Sequence, residues 1–341
     1  LRLIRMAMRT KALLTLLLPL ALASCSDRYF NGERHFGLEF EKDCALSRGR
    51  EMMDVFGGGG VYVVDSLLIV TGNNQTAGYF WNVYGRHSGK FIKSMLRHGR
   101  GPSEVLYPAY NGQYEYEDGD IVAYFYDSGL SKVLKINITE SLDRTDDVIE
   151  DVCGLGYDSY PYYIDSDGKT ISSLYVQEEG ALSLDGMQIY RNISPEYRQT
   201  AAFNLSYNPT LGKVCLTYSY ADQVQILDMH GKGMLLSPMQ DSGWENVIGH
   251  PVSGSTKICY GTLRTTDSYI YAGYIGRTLD GMMEDGGVYC SEIHVFDWNG
   301  KAVARIIPDK KITSFDVDPT DSIIYCMTDE EKLLLYLHRL T

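Results

Sequence analysis

Seven histidines, at positions 35, 87, 98, 230, 250, 294 and 338, are the side chains best suited to proton transfer or metal binding, and they are scattered along the chain. His87 and His230 fall in predicted hairpin turns, while His294 and His338 lie within predicted strands. No H-E-x-x-H, G-x-S-x-G, P-loop or C-x-x-C occurs, so no motif supplies a metal site, an activated serine or a phosphate cradle. Asp165-Ser166-Asp167-Gly168 has the oxygen donors that begin a calcium loop, but such a loop needs further oxygens and a closing Glu at fixed distance. An Asp-box would need a residue between its Asp and its Gly, and here Asp167 and Gly168 are adjacent; a hairpin turn accounts for the segment. The acidic run 143–151 reads as a solvated loop. Cys44, Cys153, Cys215, Cys259, Cys290 and Cys326 fall mostly within apolar strand patterns, where a free thiol behaves as a small hydrophobe. Catalytic residues, metal ligands and cofactor are therefore all expected to be none.

Cys25 stands apart. From Met8 the chain runs Met-Arg-Thr-Lys into an apolar stretch, residues 12–23, which is signal-peptide geometry and too short to span a bilayer. The stretch ends Leu22-Ala23-Ser24-Cys25 and resembles the bacterial lipobox. That resemblance implies cleavage between Ser24 and Cys25, a diacylglycerol on the Cys25 sulfur, and acylation of the new amino terminus. Small residues fit the peptidase cleft, and only a thiol accepts the lipid. Two or three acyl chains hold durably at ~0.8 kcal/mol per buried CH₂, where one would be marginal. The alternative is an ordinary signal peptide with a chance cysteine. The expected organisation is a cleaved leader over 1–24, a lipidated tether over 25–35 and a folded body over 36–341.

That body must be ordered: hydrophobic residues make up 44% of the chain and charged ones only 22%. The net charge is −13, and removing the leader, which holds four basic and no acidic residues, makes it −17. A nucleic-acid or anionic-lipid footprint is excluded on that balance. After the leader, short apolar runs separated by tight polar pairs dominate. The pairs are Asp65-Ser66, Asp118-Gly119, Asp167-Gly168, Leu211-Gly212, Asp267-Ser268 and Asp321-Ser322, at intervals of 53, 49, 44, 56 and 54 residues. A hairpin turn returning at that period is the signature of β-propeller blades. A weaker repeat, Ser88-Gly89-Lys90, His230-Gly231-Lys232 and Asn299-Gly300-Lys301, marks outer hairpins whose strands are expected to alternate apolar and polar.

Six turns predict an all-β, six-bladed propeller of four-stranded antiparallel blades; a β-sandwich with coincidental spacing is the alternative. The chain finishes with an apolar run over 333–340, read as the third strand of the last blade. A strand over 36–45 is expected to supply the fourth and close the ring, removing an exposed edge.

Gly99-x-Gly101-Pro102-x-Glu104, followed by Pro108, resembles the turn of the TolB-like, NHL-like six-bladed propeller lipoproteins of the Bacteroidota. The resemblance implies a cell-envelope lipoprotein, held to the outer membrane through Cys25, and lends no catalytic residue. Locally the glycines permit a sharp reversal, which reads as a blade connector. The 27 tyrosines fit propeller strands and also contact surfaces for sugars or peptides, with Tyr157, Tyr160, Tyr162 and Tyr163 as one candidate face. The non-repetitive stretches 240–257, with Trp244, and 276–287 are candidate face loops. The functional expectation is a non-catalytic binding or scaffold propeller with a glycan, peptide or envelope-protein ligand. The alternative is a propeller enzyme, a hydrolase or lyase, metal-dependent or not, with acids gathered at the channel mouth.

Overall fold

At the recurring turns the backbone takes up the strained geometry that Asp and Gly tolerate. Asp65, Asp118 and Asp321 sit at φ of 52°, 51° and 56°, and Gly119 and Gly212 at 96° and 59°. In the computed structural model, which describes residues 32–72, 78–156, 159–164, 170–176, 181–184, 187–190, 200, 202–238 and 250–340, these turns join the first two strands of successive sheets. The six first strands are Gly58–Val64, Pro108–Glu117, Ser159–Ile164, Phe203–Asn208, Lys257–Thr265 and Ile312–Val317. Each is followed by antiparallel neighbours in chain order. The first strands meet one another around a common axis, so the sheets radiate from it as six blades of a β-propeller.

The blades press face to face, and several middle strands are buried on both sides. Lys213–Tyr218 and Ile323–Thr328 are buried at every position after the first. Trp81, Tyr218, Tyr260, Tyr271, Tyr325 and Tyr336 are fully buried between blades, which is where much of the tyrosine goes. This corrects the expected alternation in the outer hairpins. The third strands Val224–Asp228 and Glu292–Asp297 are buried throughout their centres because both faces are covered. Outermost strands such as Phe91–His98 regain exposed positions. The hairpin turns themselves are as expected: Asp228 and Asp297 each accept two backbone amides across them, and Gly231 and Gly300 take φ of 77° and 85°.

The ring closes through an N-terminal strand, but a different one from 36–45. Arg50–Asp54 pairs antiparallel with Lys332–Leu337 as the fourth strand of blade 6. Arg50–Asp54 stands just before Gly58, the start of blade 1, as Val148–Gly154 of blade 2 stands before blade 3 and Ala302–Pro308 of blade 5 before blade 6. As an outermost strand it is half exposed, so it lacks an apolar signature. The preceding chain instead adds parallel fifth strands: Gly32–Phe36 on blade 4 and Asp43–Leu46 on blade 5. Among the described residues, four strands per blade therefore holds for blades 2, 3 and 6. Part of the stretch read as tether, from Gly32, is already paired. Residues 1–31, with Ser24 and Cys25, lie outside the described residues.

Blade 1 gains its fifth strand from the glycine-rich turn. Glu104–Val105 pairs parallel with Phe91–His98, and the Glu104 carboxylate accepts the Gly101 amide at 2.8 Å. A Cβ on Gly99 would stand 1.9 Å from that carboxylate, and one on Gly101 3.0 Å. The two glycines and the glutamate are thus one self-capped connector. All six cysteines after Cys25 are free thiols; Cys215, Cys259, Cys290 and Cys326 are buried. Among the described residues, no helix is long and apolar enough to cross a membrane.

Candidate functional site

The first strands enclose a cavity of about 1020 Å³ on the propeller axis, lined from all six blades and reaching the turn residues Pro209, Asp267 and Pro319. Side chains bridge every junction around it. From blade 6, Ser314 and Asp316 accept the amides of Val61 and Val63 in blade 1, at 3.3 and 2.7 Å. Tyr62 of blade 1 donates its hydroxyl to the Tyr110 carbonyl of blade 2 at 2.7 Å. Asn111 and Gln113 of blade 2 reach the carbonyls of Tyr162 and Ile164 in blade 3. Blades 3 and 4 meet through rings, Tyr163 on Tyr207 at 4.8 Å and Tyr162 stacked on Phe203 at 5.6 Å. Asn204 and Ser206 of blade 4 bond Gly261 and Thr265 of blade 5. The circuit ends with Arg264 of blade 5 and Asp316 of blade 6, 3.6 Å apart.

Two halves of the wall differ in chemistry. Blades 1 to 4 present an aromatic arc, with Tyr62, Tyr110, Tyr160, Tyr162, Phe203 and Tyr207. Blades 4 to 6 present amides, hydroxyls and the one ion pair. Arg264 lies over the Tyr62 ring at 4.4 Å and donates to the Leu263 carbonyl at 2.9 Å. Its Nε has no hydrogen-bond partner, and neither has the hydroxyl of Tyr110. That hydroxyl is buried, and Tyr62, Asp316, Tyr114 and Arg264 all act on it electrostatically. Burial holds the tyrosines in their protonated form: Tyr162 is pushed up to about 12, and Tyr110 well above its ordinary value. Burial also raises Asp316, against the pull of Arg264 and of the Val63 and Val317 amides. Among the described residues the wall therefore offers neutral hydroxyl donors and acceptors, one fixed cation and three carboxylates: Asp316 beside that cation, Glu115, which accepts the Tyr124 hydroxyl, and Asp267 at a rim turn.

The residues singled out in the sequence divide clearly. Tyr160, Tyr162 and Tyr163 do line the channel; Tyr157 lies outside the described residues, as do Asp165, Asp167 and Trp244. None of the seven histidines is in the lining. His294 is buried in blade 5, between the Tyr260 hydroxyl at 3.1 Å and Glu292 at 2.9 Å. The acidic run is a loop only to 146: Asp147 is buried, accepting the Leu96 amide at 2.6 Å, and the outermost strand of blade 2 begins at Val148. The segment 276–287 forms a short helix, Leu279–Glu284, away from the lining. Among the described residues the cavity is lined by first strands and the turns that follow them; of the candidate loop 240–257, residues 240–249 lie outside the described residues. Among the described residues, no three His, Cys, Asp or Glu side chains gather as metal ligands. Arg264 and Asp316 were missed, although a signal existed. Tyr62, Tyr114, Tyr163, Tyr207, Arg264 and Asp316 each stand three to five residues before a repeat turn, so aligning the repeats on their turns brings out the axial wall.

A family model described as TolB-like 6-blade propeller-like matches residues 60–320. Among solved structures the chain is similar to a Bacteroides fragilis NCTC 9343 protein described as exported, with 10% identity and a TM-score of 0.51 over 90% of this chain and 98% of that one. It is also similar to a member of the duf4221 family from Bacteroides vulgatus, with 10% identity and a TM-score of 0.50 over 87% and 95%. At such identity these likenesses speak for the fold alone. No curated protein matches the chain.

Proposed function

Because this chain belongs to the TolB-like six-bladed propeller family, we propose that it is a non-catalytic binding protein that takes its ligand into the central channel. One observation carries the reading: an axial cavity of about 1020 Å³, walled by aromatic rings on one arc and by convergent polar groups on the other. Binding pockets combine these features, an apolar lining for contact area and a few fixed polar groups for orientation. The six bridged junctions hold the wall rigid, so little ordering cost falls on the bound state. In this reading the protein works in the bacterial cell envelope, cleaved after Ser24 and lipid-anchored to the outer membrane through Cys25. Support comes from the motif at residues 22–25 and from a B. fragilis relative described as exported.

Thermal unfolding of the full chain against fractionated envelope extracts and polysaccharide digests tests the binding, with Ser206→Trp as a variant that fills the channel. A fraction should raise the melting temperature of the wild type only, and its ligand should be recovered unchanged. A shift that persists in the blocked variant, or a ligand recovered cleaved, would overturn the reading. The anchor is tested separately: cells fed an alkyne-tagged fatty acid should label the wild type, and Cys25→Ser should abolish the label.

A further inference from the structure

The ligand class follows from what the channel groups still lack. Arg264 can only donate and the ionised Asp316 can only accept, and the two stand 3.6 Å apart. Asp316 already takes the Val63 and Val317 amides, one on each oxygen, which leaves each oxygen a further lone pair. Arg264 Nε and the Tyr110 hydroxyl are buried without hydrogen-bond partners, and a buried donor left unmet costs about 1–3 kcal/mol. An anionic ligand that met Arg264 would also meet Asp316, in a wall that holds Glu115 and Asp267 as well; a cationic one that met Asp316 would meet Arg264, and Glu115 is already engaged by the Tyr124 hydroxyl. A neutral hydroxyl donates and accepts at once, so the hydroxyls of a sugar can meet these groups without disturbing the ion pair. Opposite them, Tyr62, Tyr160, Tyr162 and Phe203 offer apolar ring faces, and the tyrosines also offer polar edges.

Resting on the binding reading above, we propose that the channel is a carbohydrate site for a neutral oligosaccharide, whose ring faces lie on the tyrosine arc and whose hydroxyls engage Arg264, Asp316 and the Tyr110 hydroxyl. Its volume, at the upper end of small-molecule pockets, suits several sugar units rather than one.

The test is an array carrying neutral gluco-, manno-, galacto- and xylo-oligosaccharides beside uronate, sialylated and amino-sugar counterparts and a peptide library, read with the full chain in detergent. A neutral oligosaccharide should bind and be lost in Ser206→Trp. Tyr110→Phe, which removes a hydroxyl with no structural partner, should weaken binding about threefold to tenfold while leaving the melting temperature unchanged or higher. If the tightest binder is charged or a peptide and the blocked variant loses it, the ligand class is wrong but channel binding stands. Binding untouched by Ser206→Trp overturns the channel reading itself. Silence of every neutral oligosaccharide at millimolar concentration overturns the carbohydrate proposal.

Discussion

One strand, Lys257–Thr265, feeds two polar clusters that differ in a single respect. Arg264 enters the channel, where it meets Asp316 beside a large open cavity. Tyr260 turns into the body of blade 5, where its hydroxyl meets His294, which in turn bonds Glu292. Tyr274 stacks on His294 at 4.7 Å, and Phe40, from the N-terminal segment, covers it at 4.8 Å. Arg305 lies 3.9 Å from Glu292 and pairs with Asp43 of the same segment. In the blade cluster His294 and Tyr260 are buried and both ring nitrogens are engaged, with Glu292 at its outer edge; the channel cluster borders solvent-sized space and keeps unmet donors. A carboxylate–histidine–tyrosine chain looks catalytic on paper, yet His294 and the Tyr260 ring are buried under Phe40 and Tyr274. The open cluster, poorer in titratable groups, is the one placed to meet a ligand.

Because water cannot replace a partner in the sealed cluster, removing one should be expensive there. His294→Ala strands the Tyr260 hydroxyl and the Glu292 carboxylate and empties the space under Phe40. The expected loss is about 2–4 kcal/mol in urea unfolding. A loss below about 1 kcal/mol would mean that solvent reaches the site and the contrast fails.

Acid should separate the clusters by sign. Burial holds His294 below its ordinary value, and burial together with Lys42 holds His338 at about 4. From about pH 6.5 downward the unfolded chain takes up protons that these folded histidines refuse, so stability falls until their folded pKa values are passed. Asp316, raised by burial, acts oppositely: the folded channel accepts a proton before the unfolded chain does, which adds stability on acidification. Melting curves between pH 7 and 4 should decline, more shallowly in His338→Gln; in Asp316→Asn, which lacks the compensating group, the decline should steepen. An unchanged slope in both variants would remove the linkage.

The same small change made twice sharpens the comparison further. Tyr260→Phe leaves His294 Nδ1 without its partner and should cost about 1–2 kcal/mol, whereas Tyr110→Phe removes only an unmet hydroxyl and should cost nothing or add up to about 1 kcal/mol. Equal losses would show that the Tyr110 hydroxyl is bonded in solution.

How far the sequence announced this arrangement depends on what each residue has to do. The blade count was legible because the turns demand left-handed backbone, which restricts Asp65, Asp118, Gly119, Gly212 and Asp321 to few residue types. The Gly99, Gly101 and Glu104 connector was legible for the same reason, a steric need that no larger residue meets. The closing strand Arg50–Asp54 was not, since an edge strand is selected by backbone pairing and its side chains are free to be polar. Parallel strands Gly32–Phe36 and Asp43–Leu46 are opaque for that reason too. Two rings of the aromatic arc, Tyr160 and Tyr162, could be picked from local clustering at 160–163, but Arg264 and Asp316 lie 52 residues apart and meet only because the ring places blades 5 and 6 side by side.

The smallest effect belongs to the channel wall, and it bears most directly on why the wall is open to a ligand. Ser206 and Thr265 share a hydrogen bond of 2.6 Å between blades 4 and 5, and both are only partly buried. Ser206→Ala deletes one partner, the same operation as in the sealed cluster, but here water can enter and satisfy Thr265. The expected cost is below about 0.5 kcal/mol, with the blade junction still held by the Asn204 bond to Gly261. A loss comparable to that of Tyr260→Phe would mean that the wall is as dry as the blade interior. A wall that dry would have no exchangeable water for a ligand hydroxyl to displace, whereas a near-neutral result marks Ser206 and Thr265 as positions a ligand can take over at little cost.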